Sequence, residues 1–301
     1  MKLRIGTRKS TLALWQAKKV SKEIKAQGVE TELVEIESFG DKVQDIPLDK
    51  LGDKGVFTKA LDDALIAGEI DLAVHSLKDV PTILPKGLIL AAVLERGNPM
   101  DVLVRPVQSK ETESEQKIIA TGSIRRKAFW LNQYPKDTVT GLRGNVPTRL
   151  DKVDSNKWYG AVFAAAGLQR IGYDDRISEV LNWMIPAPSQ GIVGIVCWGG
   201  SEAESVLKKI DHKESHLCGA IERAFLNELE AGCSSPVGAH AKVNDDILSF
   251  KGAVLSLDGK ERLDIERTTS VNKAKASLGK EWAALLKKEG AEELLEHPDD
   301  E

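Results

Sequence analysis

The sequence predicts an α/β protein of two lobes joined by two crossing segments, followed by a smaller α+β domain. Three observations carry this. Short apolar runs alternate with amphipathic helical stretches through the first two-thirds of the chain, the pattern of parallel sheets with covering helices. Arg96-Gly97-Asn98-Pro99 and Pro186-Ala187-Pro188-Ser189-Gln190-Gly191 interrupt that alternation on either side of one unit, as crossings in a hinged two-lobed binding protein would. After residue 211 a long helical stretch leads into alternating segments with a hairpin turn, Leu257-Asp258-Gly259, that calls for antiparallel pairing. The expected division is residues 1–95 with 190–210, residues 96–189, and residues 211–301.

In order, Leu3-Arg4-Ile5-Gly6-Thr7 reads as a first strand and residues 10–27 as a helix, with Ser10 as N-cap and Gly28 as stop. Residues 32–37 alternate as a second strand, and residues 39–55, rich in Gly, Asp and Lys without a period, read as a long loop and candidate lid. A helix follows over 56–67, then strands over 70–74 and 88–94. The second unit opens with a strand over 101–105, has a polar stretch at 108–116, and places strands near 118–121, 138–142 and 160–165 between helices. Residues 192–198 form an apolar strand, so residues 192–210 are expected to return to the first lobe. The last part reads as a helix over 216–229, strands near 239–243, 247–256 and 261–269, and a helix near 273–288.

A chain of 301 residues suits two or three domains, and 42 % hydrophobic with 29 % charged residues fits a globular protein with a sizeable core. The start runs directly into a strand pattern without an apolar signal region, and no apolar run approaches the roughly 20 residues of a membrane span. A cytoplasmic protein without membrane or nucleic-acid partners is expected, since the net charge of −4 offers no general basic footprint. Charge is unevenly spread, however. Basic residues outnumber acidic ones 13 to 10 over 101–190 and fall to 14 against 21 over 191–301, so the arginines of the middle third stand out.

Three cysteines without Cys-x-x-Cys spacing argue against a disulfide framework or a structural zinc site. Cys197 in an apolar strand and Cys218 in a helix read as packed. Cys233 lies in the turn-rich run Gly232-Cys233-Ser234-Ser235-Pro236, where a thiol could be reactive, serve as an attachment point, or be a loop residue of no consequence. His75 reads as a core histidine, and the remaining histidines offer only the weak pair His212/His216, so no metal is expected.

The segment D-L-A-V-H-S-L-K-D-V-P, residues 71–81, places Lys78 and Asp79 just past the end of a buried strand, the edge where open α/β sheets bind ligands. A solvated ion pair would read the same way. Arg8, Arg125, Arg126, Arg143, Arg149 and Arg170 all fall at expected strand ends or helix starts, where backbone N–H groups and the helix dipole already favour anions. No G-x-x-x-x-G-K-[ST] cradle is present, so several separate carboxylates suit them at least as well as phosphates. Lys50, Lys54 and Lys59 could close over such a ligand or remain solvated.

These residues and the stretches around them resemble the porphobilinogen deaminase (hydroxymethylbilane synthase) family along nearly the whole chain. The matching segments include residues 6–17 (G-T-R-K-S-T-L-A-L-W-Q-A), Lys54-Gly55-Val56-Phe57, residues 71–81, Ser123-Ile124-Arg125-Arg126, residues 142–150, Ala166-Gly167-Leu168 with Arg170, Gln190-Gly191, and Gly232-Cys233 with Pro236. The resemblance implies two periplasmic-binding-protein-like (type II) α/β domains with the active site between them, and a small C-terminal α+β domain. It implies a dipyrromethane cofactor held by Cys233 through a thioether. Four porphobilinogen units would be joined head to tail onto it with loss of ammonia, and hydrolysis would release hydroxymethylbilane for tetrapyrrole and haem biosynthesis. Asp79 would be the catalytic group, stabilising positive charge on pyrrole nitrogens and handling protons. Ser10, Ser76, Lys78, Ser123, Arg125 and Arg126 would serve the cofactor. Arg8, Lys54, Phe57, Arg143, Arg149 and Arg170 would bind substrate and the growing polypyrrole chain. A monomer with hand-off of product to uroporphyrinogen III synthase is also implied. The chain departs from the family pattern at Gly122, Asp53, Ala60, Ala231 and Ser234-Ser235, which touches cofactor and lid details rather than the reaction.

Two other classes compete. A non-catalytic two-lobed anion receptor explains the arginines and the hinge but not a carboxylate among them. A cysteine hydrolase using Cys233 with His240 or His75 needs a histidine within reach of the thiol.

Overall fold

The computed structural model describes residues 1–37, 58–108, 116–231 and 235–295. The candidate lid over 39–55, with Lys50, Asp53 and Lys54, and also Phe57, Cys233 and Ser234, lie outside them.

The first sheet contains β1 (Lys2–Thr7), β2 (Glu30–Glu35), β3 (Leu72–Ser76), β4 (Leu88–Val93) and the late strand β10 (Val193–Trp198), in the order β2-β1-β3-β10-β4. β1 runs parallel to β2 and β3, whereas β10 is antiparallel to both β3 and β4. The second sheet repeats this plan with β5 (Asp101–Val104), β6 (Ile118–Ala120), β7 (Thr138–Thr140), β8 (Gly160–Ala164) and β9 (Glu179–Val180), in the order β7-β6-β8-β5-β9. Here β5, the strand that arrives from the other lobe, is the antiparallel insert between β8 and β9. Each lobe thus receives one strand from a crossing segment, the topology of a two-lobed type II binding-protein fold.

Helices cover both faces. α1 (Thr11–Ala26) begins where Ser10 accepts a hydrogen bond from the Ala13 N–H, and it buries Ala17, Val20 and Ile24 against Ile5, Leu72 and Ile195. On the opposite face α2 (Lys59–Ile66) packs Leu61 and Leu65 on Ile70, Ala73 and Val196. In the second lobe α3 (Ile124–Gln133), capped by Ser123, sets Phe129 and Trp130 on Leu103, Ile119 and Val162, while α4 (Val146–Ser155) and α5 (Ala165–Arg170) cover the other face. A short helix, α6 (Glu202–Leu207), follows β10. Neither it nor the two-residue edge strand β9 was expected from periodicity, both being too short to show one.

The third domain joins α7 (Lys213–Glu228) to the antiparallel meander β11 (Val237–Asn244), β12 (Ile247–Leu255) and β13 (Arg262–Ser270), then α8 (Ser277–Lys288) and α9 (Ala291–Leu295). α7 starts before residue 216, where it was expected, because the His212 ring nitrogen accepts from the Ser215 N–H and caps it. Phe225, Phe250 and Trp282 stack in its core, with centroids 5.1 and 4.8 Å apart. The hairpin turn docks on α3: Gly259, at φ +75°, accepts from Asn132 Nδ2 at 2.8 Å, and a Cβ there would lie 2.4 Å from the Ala128 carbonyl oxygen. No helix among the described residues is long and apolar enough to cross a membrane.

Two interactions hold the hinge. The crossings touch where the Gly97 N–H donates to the Gly191 carbonyl at 3.0 Å; Gly191 has φ +87°, and a Cβ would sit 2.7 Å from the Gly97 oxygen, so only glycine fits. Beside them Glu222 of α7, 1 % exposed, receives Arg96 of the first crossing in a bidentate pair, Nη1 to Oε1 and Nη2 to Oε2, both 2.8 Å. The Ser189 N–H of the second crossing and the Ala241 N–H of β11 each donate to it at 2.6 Å. Removing one partner of such a pair leaves a buried charge unmatched. Glu222→Ala is therefore expected to lower unfolding stability by about 3–5 kcal/mol, to be read from chemical denaturation beside the native chain; an unchanged midpoint would contradict this role.

Candidate active site

β3 is paired on both sides and buried along Leu72, Ala73, Val74 and His75, so its carboxyl end is held rigidly. It passes into a single 3-10 turn, Leu77–Asp79, closed by the Val80 N–H to the Leu77 carbonyl at 3.1 Å. From the third domain Arg223 donates Nη1 to the Val80 carbonyl at 2.8 Å and Nη2 to the Pro81 carbonyl at 2.6 Å. The carboxylate of Asp79 is thus carried on a turn fixed from two domains.

Asp79 borders a cavity of about 80 Å³ with Arg8, Ser10, Gln16, His75 and Ser76. Ser76 accepts from Gln16 Nε2 at 2.8 Å, which joins the end of β3 to α1. His75 is 6 % exposed, yet its Nε2 has no hydrogen-bond partner among the described residues. Burial, and then the neighbouring Arg8, push its pKa down to about 4. Placement in the core agrees with expectation; the unsatisfied nitrogen does not, since a packed histidine ordinarily finds a partner.

The second lobe brings its own charged groups to bear on Lys78. Arg125 and Arg126 occupy the first turn of α3 behind the Ser123 cap, and both are buried. Asp101, wholly buried at the start of β5, pairs with Arg126 Nε at 2.9 Å and Arg125 Nη2 at 2.8 Å. Carbonyl oxygens take further donors: Ile185 from Arg125 and Val162 from Arg126. Burial alone would raise the Asp101 carboxyl, but the two guanidinium groups hold it below its ordinary range. Arg149 donates Nε to the Gly144 carbonyl at 2.7 Å. Its pKa is pushed down to about 10, first by burial and then by Arg126 and Arg143, with Asp79 opposing. Lys78 Nζ donates to Gln190 Oε1 at 3.3 Å; burial and Arg126 lower its pKa to about 8, against Asp79 and Asp101.

The structure therefore gathers Arg126, Arg143, Arg149, Lys78 and Asp79 into one electrostatic cluster, with Arg8, Ser10 and Ser76 at the adjoining cavity. Arg170 stands apart: its Nη2 bonds the Gly191 carbonyl at 2.6 Å and its guanidinium lies 5.4 Å from the Trp15 ring centroid, facing a separate recess beside the hinge. Sequence reasoning did not single out Arg96, Glu222, Arg223 or Asp101. The one signal for Asp101 was a carboxylate opening an otherwise apolar strand. Cys197 and Cys218 are buried as expected, and burial raises the Cys218 thiol to about 12.

A cluster in which cations outnumber carboxylates, and in which Arg126 lowers both Lys78 and Arg149, suits a ligand bearing several carboxylates. The family description "Porphobilinogen deaminase, dipyromethane cofactor binding domain" matches residues 3–205, and "Porphobilinogen deaminase, C-terminal domain" matches residues 216–288. The chain belongs to the porphobilinogen deaminase family. A porphobilinogen deaminase of Nostoc sp. is 42 % identical over 97 % of this chain and 93 % of its own. That of Desulforamulus reducens is 40 % identical over 98 % and 97 %. Among solved structures, the methionine-binding protein MetQ overlaps 69 % of this chain and 89 % of its own, at 14 % identity and a TM-score of 0.46. The Bordetella pertussis BvgS periplasmic VFT2 domain overlaps 69 % and 86 %, at 14 % identity and a TM-score of 0.42.

The buried imidazole makes a prediction. Folded His75 stays neutral down to about pH 4, whereas an unfolded histidine takes a proton near pH 6.5. Its contribution to stability is complete above the unfolded value and is lost as pH falls towards the folded one. His75→Leu should flatten the loss of stability across that window, measured as denaturation midpoint against pH. An unchanged slope would show that the ring ionises in the folded chain.

Proposed function

We propose that this chain is a porphobilinogen deaminase: it condenses four porphobilinogen molecules head to tail with loss of ammonia and, with one water, releases hydroxymethylbilane. The observation that carries this is Asp79 among Lys78, Arg126, Arg143 and Arg149. A receptor for anions gains nothing from a carboxylate there, whereas a deaminating condensation needs one. Each pyrrole brings an acetate and a propionate for the arginines, and its nitrogen becomes electron-poor as the carbon–nitrogen bond to the leaving amine breaks. A fixed carboxylate facing that nitrogen lowers the barrier electrostatically and can hold the proton in transit.

Dipyrromethane would occupy the same cleft, and the residues fit it. Arg125 and Arg126 are preset by Asp101 at a helix start, and the mutually repelling Arg126, Arg143 and Arg149 would be relieved by carboxylates. Ser10, Ser76, Lys78 and Ser123 lie on the adjoining strand end and helix starts, and Cys233 is the proposed thioether attachment. When bound, the group supplies the nucleophilic pyrrole carbon on which the chain grows. Arg8, Arg143 and Arg149, with Lys54 and Phe57, are assigned to substrate and product carboxylates. Arg170 is kept in that set, although its bond to Gly191 also gives it a place on the hinge.

The proposed domains are residues 1–95 with 190–210, 96–189 and 211–301. A cytoplasmic monomer that passes product to uroporphyrinogen III synthase completes the reading.

Two substitutions test it. Asp79→Ala should keep the native unfolding midpoint and lose about 10²–10⁴-fold in turnover; near-native formation of hydroxymethylbilane would remove Asp79 from its role. Cys233→Ser should leave no covalent pyrrole adduct by intact mass and peptide mapping, and an adduct elsewhere would relocate the attachment.

A further inference from the structure

Gln190 is 1 % exposed and lies on the second crossing, beside the Gly191 carbonyl that receives the first crossing. Its amide makes three contacts, each to a different part of the molecule. Oε1 accepts from Lys78 Nζ of the first lobe at 3.3 Å. Nε2 donates to the Pro99 carbonyl on the first crossing at 2.6 Å and to Asp101 Oδ1 of the second lobe at 3.1 Å. Asp101 in turn holds Arg126 at 2.9 Å and Arg125 at 2.8 Å.

The chemistry of this site selects glutamine. Lysine can only donate, while a carbonyl and a carboxylate can only accept. One side chain must therefore present an acceptor to the first lobe and two donors to the hinge and second lobe, within a single planar group. An amide does this; a carboxylate would face two acceptors, and an apolar side chain would leave Lys78 and Asp101 short of a partner each. Lys78 also precedes Asp79 in a three-residue turn, so a shift of one carries the other.

We propose that Gln190 is a positioning residue that registers the Lys78–Asp79 turn of the first lobe against the Arg125–Arg126 pair of the second. The assignment rests on the deaminase reading of the site. Gln190 touches neither substrate nor the reacting atoms in this role. It sets the distance between the carboxylate that stabilises charge and the arginines that hold the pyrrole carboxylates, across the boundary where the lobes meet.

The group it contacts is poised for a distinctive readout. The charges facing Lys78 are Arg126 and Arg125 on one side and Asp79 and Asp101 on the other, and its pKa stands at about 8. Gln190→Glu adds a third carboxylate, which favours the charged ammonium, so the proton is lost at higher pH.

The test follows the first enzyme–pyrrole adduct after mixing cofactor-loaded protein with porphobilinogen, by rapid quench and intact mass, over a pH series. Gln190→Met is expected to slow adduct formation about 10²-fold, as a misplacement of roughly 1 Å does, with a native unfolding midpoint. Gln190→Glu is expected to move the alkaline fall in rate up by about one pH unit, a shift that a purely structural residue would not produce. The double variant Lys78→Met/Gln190→Glu should show the profile of Lys78→Met alone. A native rate in Gln190→Met, or an unmoved alkaline limb in Gln190→Glu, overturns the assignment. If Gln190→Met does not fold, the Gln190→Glu profile decides. A native protein that forms no adduct at all would overturn the deaminase reading, and this assignment with it, and is seen in the control before any variant is compared.

Discussion

A carboxylate removed from water costs several kcal/mol unless charge and hydrogen bonds replace its solvent. Glu222, inside the helix that opens the third domain, meets that condition with four donors: both Nη groups of Arg96, and the N–H groups of Ser189 and Ala241. Arg96 and Ser189 belong to the two crossings, one each. The pair therefore does more than fill a buried site. It ties the whole hinge to a third domain that neither lobe needs for its own sheet. One residue further along the helix, Arg223 grips the carbonyls that follow Asp79. The frame that holds the hinge also holds the turn that carries Asp79.

Within the cleft the same physics runs with the opposite balance. Asp101 neutralises Arg125 and Arg126 only in part, because it is one charge against two. Arg143, Arg149 and Lys78 add to the excess, and burial depresses the pKa values of Lys78 and Arg149 together. Excess positive charge of this kind is repulsive, and an oligocarboxylate would relieve it. Asp79 is the exception, the carboxylate that opposes the depression of Lys78 and Arg149; in the proposed reaction it would offer a fixed negative group where positive charge develops.

Much of this was legible in the chain itself. Ser10 announced a helix start, the run from Pro186 to Gly191 a crossing, Leu257-Asp258-Gly259 a hairpin, and the stretch around Asp79 a strand ending in charge. Legibility failed where the signal was shorter than a period or chemically unusual. α6 spans Glu202–Leu207 and β9 only Glu179–Val180, too few residues for either repeat to appear. A histidine cap moved the start of α7, since His212 is outside the usual capping set. Arg170 shared the pattern of the other arginines and yet lies against the hinge, because position at a helix end does not say which way the side chain reaches.

The sequence by itself determined the alternation of strands and helices, the two breaks between lobes, the family and the residue types of the site, because these depend on local pattern and composition. Partners were decided by the tertiary structure alone. That Asp101 answers two arginines, that Gln190 spans the lobes, and that Glu222 gathers both crossings are contacts between residues 24 to 126 positions apart. No local periodicity encodes such pairings. They arise when burial forces each charge to find its complement wherever the fold has brought one.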